Sequence, residues 1–112
     1  MCYNRDTKEK RERFKIMEYT IYVVYHAKPG CREAFVRRLE ESGTAAKVRA
    51  EEGCLAYDYY FSAAEENTLL LIEKWESKKH QEIHLTQPHI ADIRAAKAEF
   101  IEDSYLGEFK LV

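Results

Sequence analysis

Between Leu69 and His89 the chain reads LLLIEKWESKKHQEIHLTQPH, an apolar strand running directly into a histidine-bearing helix. Leu69, Leu71, Glu73 and Trp75 alternate, so on a strand they share one face and set a carboxylate on an otherwise apolar surface beside a large ring. A charge there must find a partner, reach water or raise its pKa, and each of these is commoner at a ligand site than in plain core. Ser77 follows where it can cap a helix on which His80 and His84, four residues apart, lie on one side. The stretch therefore predicts a strand-turn-helix unit and also the place where chemistry is expected.

The rest of the chain falls into register with it. Tyr19 to Ala27 is rich in β-branched and aromatic residues and stops at Lys28-Pro29-Gly30, a strand ended by a turn. From Cys31, Phe35, Leu39, Gly43, Ala46 and Ala50 recur at spacings of three and four, which predicts one amphipathic helix of about 20 residues closed by Gly53. Cys54 to Ser62 alternates Leu55, Tyr57, Tyr59 and Phe61 and is joined to Thr68–Glu76 by the polar loop 63–67, a hairpin pattern. After Ser77 a helix of about 9 residues is broken at Thr86-Gln87-Pro88, and a second runs from Pro88 to about Ile101. Its inner face carries Ile90, Ile93, Ala96 or Lys97, and Phe100. Asp103-Ser104 then leads into a last strand, Tyr105 to Val112.

The order β-α-β-β-α-β is the split unit of ferredoxin-like α+β folds, an antiparallel sheet with helices on one face. The first and third strands are apolar on both faces: Ile21, Val23 and Tyr25 against Tyr22 and Val24, and Leu69, Leu71 and Trp75 against Leu70 and Ile72. Helices can cover only one of those faces. The other would be a large exposed apolar patch on a monomer, so a homodimer packed sheet against sheet is expected.

Composition narrows the function classes. A chain of 112 residues is one domain, and 46% hydrophobic with 34% charged residues fits a globular core with a solvated surface. A net charge of −2 gives no overall electrostatic reason to bind nucleic acid or an anionic membrane. No apolar run reaches the roughly 18 residues of a membrane span. Cys2, Cys31 and Cys54 are odd in number and widely spaced, which points to reduced thiols and a cytoplasmic setting. Cys31 and Cys54 read as structural. Residues 1–16 carry six basic and three acidic side chains against a net acidic remainder, and are expected to be a flexible charged extension ahead of a domain over 17–112. Met17, just before the first strand, offers an alternative start.

Taken together, the first strand with its KPG at 28–30, EEGCLAY at 51–57, IEKWES at 72–77 and the spread His80, His84, Pro88 and His89 resemble the antibiotic biosynthesis monooxygenase family, and particularly its quinol monooxygenase members. The resemblance implies a dimeric α+β barrel with a pocket between sheet and helices in each subunit. It also implies oxygenation of a quinol or polycyclic phenol by molecular oxygen without metal, flavin or haem. The family pattern falls on Glu73, Trp75, His80, His84 and His89. The haem-degrading branch has an Asn on its first strand where Val23 stands here, and Arg94 stands where a haem-ligating histidine would be, so no haem is expected.

Such a reaction needs a base to form the phenolate, an apolar cavity for a flat ring, and donors to settle the anion. Histidine has a suitable unperturbed pKa for the base, and His84 is its first candidate. Glu73 is expected to orient a histidine, with His89 as a second catalytic group. Trp75, His80, Tyr25, Tyr57 and Tyr59 are candidates for the pocket, although period two leaves open which strand face turns inward. HQEIH at 80–84 is not the zinc-hydrolase pattern, because its Glu lies about 200° round the helix from His80. His80, His84 and Glu73 as a facial metal triad is the alternative to a metal-free site. An isomerase or cyclase working through an enolate, or a small-ligand binding module, would use the same pocket.

Overall fold

The computed structural model describes residues 18–109. The charged segment 1–16, Cys2 and residues 110–112 lie outside that range. Eight elements follow in order: β1 (Tyr19–Ala27), α1 (Arg32–Glu41), α2 (Thr44–Arg49), β2 (Cys54–Phe61), β3 (Thr68–Trp75), α3 (Lys78–His84), α4 (Ile90–Phe100) and β4 (Ile101–Phe109). The strands form one antiparallel sheet in the order β2-β3-β1-β4, the ferredoxin-like arrangement expected from the sequence.

Strict alternation in β1 and β3 decides the two faces. Ile21, Val23, Tyr25 and Ala27 of β1, with Leu69, Leu71, Glu73 and Trp75 of β3, are buried beneath the helices. Tyr57, opposite Glu73 across the β2-β3 ladder, joins that face. Phe35 and Leu39 of α1 and Val48 of α2 close over it, and Phe35 tilts against Tyr25 with ring centroids 5.1 Å apart. Fully burying side chains of this size contributes on the order of 1.5–3 kcal/mol each.

Two boundaries differ from the expectation. The single long helix after Cys31 is two helices, because Gly43 takes a left-handed conformation (φ 81°) and Ser42 and Gly43 satisfy the last carbonyls of α1. The apolar spacing of three and four survives this corner, so periodicity alone does not reveal it. The last strand starts at Ile101, four residues before Tyr105, because β1 pairs with β4 as far as Ala27↔Ile101 through an irregularity at His26/Ala27. Glu102, Asp103 and Ser104 look like a loop in sequence. They are tolerated on an edge strand, where His26 binds Asp103.

The face away from the helices carries Tyr22 and Val24, Leu70 and Ile72, and the exposed Tyr60, Tyr105 and Phe109. Tyr22 lies across Gly107, where any Cβ would come within 2.3 Å of its ring, and its ring tilts against Phe109 with centroids 5.1 Å apart.

Candidate functional site

The turn between α2 and β2 positions a residue that periodicity did not single out. Glu51 follows the last turn of α2, its N–H bonded to Val48 O and its carbonyl accepting from Cys54 N. Gly53 makes this turn with φ 83°, and a Cβ there would collide with the His80 ring at 2.3 Å. Glu51 thereby points its carboxylate inward, where one oxygen, Oε2, accepts from His84 Nδ1 at 2.7 Å and from His89 Nε2 at 2.8 Å. All three side chains are nearly enclosed, at 10%, 4% and 12% exposure.

His84 comes from the end of α3. Ser77 caps that helix as the sequence indicates, its Oγ accepting from His80 N–H. With Nδ1 committed to Glu51, His84 turns Nε2 the other way, to within 4.0 Å of Glu73 Oε1. That separation is too long for a hydrogen bond and leaves a gap between a ring nitrogen and a carboxyl oxygen. Trp75 stacks beside the imidazole at 4.9 Å and donates its indole N–H to Glu73 Oε1 at 3.1 Å. Burial pushes the Glu73 carboxyl above its usual range, only partly offset by the Trp75 hydrogen bond and by His84.

Glu73 and His84 border a cavity of about 330 Å³ between the sheet and α3 and α4. Val23, Tyr25 and Tyr57 line it from the sheet, and Ile90 and Ile93 from α4. Burial raises the Tyr57 hydroxyl well above its ordinary value, so it remains a hydrogen-bond donor, and it accepts from Tyr59 OH at 3.3 Å. Gln81 and Leu85 border it near α3, and Arg94, Lys97, Ser104, Tyr105 and Leu106 also line it.

The structure thus brings His84, Glu73, Tyr25 and Tyr57 to one cavity. His89 lies behind His84, sharing its carboxylate, and does not border the cavity. Trp75, Tyr59 and His80, considered as pocket residues, do not border it either. Trp75 is wholly buried against Glu73 and His84, and Tyr59 reaches the site only through Tyr57. His80 is turned to Ser77 Oγ at 2.7 Å and faces a separate depression of about 310 Å³. The carboxylate hydrogen-bonded to His84 is Glu51 rather than Glu73, because Nδ1 points back to the α2–β2 turn.

Among the described residues, Glu51, His84 and His89 form the group whose ligand atoms lie close enough, within 4.8 Å, to hold a metal ion. Those atoms already satisfy one another as hydrogen-bond partners. His80, engaged by Ser77, stands apart from the facial triad considered with Glu73.

Comparison with known proteins matches residues 18–96 to the antibiotic biosynthesis monooxygenase family. The chain belongs to that family. The family match ends within α4, so it spans the sheet's first three strands and every residue of the Glu51–His84–His89 group. A relative from Bacillus subtilis (strain 168), "Putative monooxygenase YcnE", is 32% identical over 74 residues, covering 66% of this chain and 76% of that protein. Among solved structures, Rv0793 from Mycobacterium tuberculosis superposes with a TM-score of 0.72 at 25% identity, covering 85% of this chain and 95% of that one. PA3566 from Pseudomonas aeruginosa gives 0.74 at 24% identity, covering 86% and 95%, and so speaks to the fold alone. No helix among the described residues of this family member is long and apolar enough to cross a membrane.

Proposed function

We propose that the protein is a cofactor-independent monooxygenase that oxidises a quinol or polycyclic phenol with molecular oxygen. The observation that carries this reading is the Glu51–His84 hydrogen bond at 2.7 Å, which fixes Nδ1 as the protonated nitrogen and leaves Nε2 as a base beside Glu73 at the cavity wall. His84 Nε2 takes the substrate hydroxyl proton, and the Glu51 carboxylate stabilises the imidazolium that results. The Tyr57 hydroxyl donates to the phenolate oxygen. Apolar walls at Val23, Ile90 and Ile93 hold the ring and limit water, which strengthens these contacts.

The phenolate gives one electron to oxygen, and the radical pair combines at a hydrogen-bearing ring carbon to form a hydroperoxide. The His84 imidazolium gives its proton to the peroxide. The freed Nε2 then takes the proton of that same ring carbon as Glu73, held towards its protonated form by burial, protonates the departing oxygen while the O–O bond breaks. Proton return from His84 to Glu73 resets the site. One oxygen atom stays in the quinone and the other leaves as water, so the substrate provides all the electrons. Turnover under isotope-labelled dioxygen should place one labelled atom in the product. Turnover under nitrogen would instead indicate an isomerase working through the enolate.

The same reading has the protein act as a cytoplasmic homodimer joined through the open sheet face, where Tyr22, Val24, Leu70, Ile72 and Tyr60 would otherwise meet water. Sedimentation of wild type should give a dimer and of Ile72→Lys a monomer; a monomeric wild type contradicts this assembly.

A further inference from the structure

Two cations that border the cavity have no carboxylate partner among the described residues. Arg94 and Lys97 stand one turn apart on α4 and both border the cavity, yet among the described residues neither has a carboxylate within ion-pair distance. Other arginines of the helical layer do: Arg38 pairs with Glu99, Arg49 with Glu40 and Arg32 with Glu33, each at 2.7 Å. Lys97 is half-buried with Nζ 5.6 Å from the centroid of the Tyr25 ring. Arg94 is exposed, but Lys97 beside the Tyr25 ring has given up part of its hydration with no carboxylate partner among the described residues, and a ligand's anion would restore what it lost.

Position along the sheet separates this end from the acid-base end. Glu73 stands opposite Ile21 on β1, whereas Lys97 sits over Tyr25, four residues further along, a rise of about 13 Å. Ser104, opposite Tyr25 on β4, adds a hydroxyl at the cationic level. The one carboxyl that borders the cavity, Glu73, is at the far end and is pushed towards its neutral form.

We propose that the cavity selects an aromatic substrate carrying a carboxylate remote from its reacting hydroxyl, and that Arg94 and Lys97 hold that carboxylate. The inference rests on this cavity being the substrate site of the proposed oxygenase. Arg94 offers a planar fork suited to two carboxylate oxygens, and Lys97 a point charge beside it. Both, being near the mouth, would also draw anions in from solution.

The test is equilibrium binding to the full chain under nitrogen, comparing a hydroxynaphthoate with the naphthol that lacks the carboxylate. Wild type should bind the hydroxynaphthoate about ten-fold more tightly or better, with a preference that shrinks as salt rises. Arg94→Gln with Lys97→Gln should erase the preference mainly by weakening the hydroxynaphthoate, and Lys97→Arg should keep it. Gln suits a helix surface, and circular dichroism checks that the double variant is folded. Equal wild-type affinities, no saturable binding of the hydroxynaphthoate, or a preference that survives the double variant would each overturn the proposal. Because this assay involves no oxygen, a kept preference without oxygen uptake sinks the oxygenase reading alone. Uptake without any preference sinks this proposal alone.

Discussion

Under α1 and α2 the sheet is closed by Phe35, Leu39 and Val48 against Leu69 and Leu71, all at 1% exposure or less. Under α3 and α4 the same sheet face meets Glu73, Gln81 and His84, also buried, beside a cavity of about 330 Å³. Both regions use the same strands and the same kind of amphipathic cover. The first removes hydrocarbon from water. The second keeps ionisable groups where aliphatic side chains would pack at lower cost, and leaves space between them. Stability accounts for the first region and not for the second, so substitutions in the two should be felt by different measurements.

The largest effect belongs to the apolar half. Phe35→Ala should lower unfolding stability in urea by about 3–5 kcal/mol through lost burial and a residual cavity. A loss under about 1 kcal/mol would show that the core under α1 relaxes and that the contrast is overdrawn. In the open half, His84→Ala should cut kcat/KM by about a hundred-fold or more, roughly 2.7 kcal/mol of transition-state stabilisation. Glu51→Gln keeps an acceptor for His84 Nδ1 but loses the negative charge, and should cost about ten-fold, mainly in kcat. An unchanged kcat in Glu51→Gln would reduce Glu51 to a structural anchor.

The smallest effect is on pH-dependent stability. Burial raises the Glu73 pKa in the folded state, so this group's contribution is fully present below its unfolded pKa and is lost as pH rises through the folded value. Glu73→Gln, which can still accept from Trp75 Nε1, removes that loss. Its Tm should therefore exceed that of wild type at mildly alkaline pH, with the gap closing towards acid pH. A variant less stable at alkaline pH would mean that the ionised carboxylate is stabilised by its surroundings.

The fold was legible because β1 and β3 alternate cleanly and Pro29-Gly30, Gly53 and Pro88 punctuate the chain. The corner at Gly43 was hidden because apolar spacing continues on both sides of it. The early start of β4 was hidden because Glu102, Asp103 and Ser104 are poor strand formers held in place by pairing with β1. In the site, Glu73 stood out as a charge on an apolar strand face, and His84 as a helix residue turned towards it. Glu51 carried no such signal. It lies in a turn, where charged residues are ordinary, and only the long-range fold brings it 33 positions along the sequence to His84. Its one trace in the sequence was EEGCLAY at 51–57, which contributed to the family resemblance without giving Glu51 a role of its own. Trp75 and Tyr59 fall behind the first layer because neighbouring side chains, Glu73 and Tyr57, come between them and the cavity.

The central claim is that His84, held by Glu51, is the base of an oxygen-consuming reaction that needs no cofactor. Its most direct test is oxygen uptake by metal-stripped protein with a panel of quinols and anthrols, run beside His84→Ala. The account predicts uptake well above autoxidation with at least one substrate and its collapse towards the autoxidation rate in the variant. Uptake that is equal in the two proteins, or absent across the panel for wild type, would contradict it.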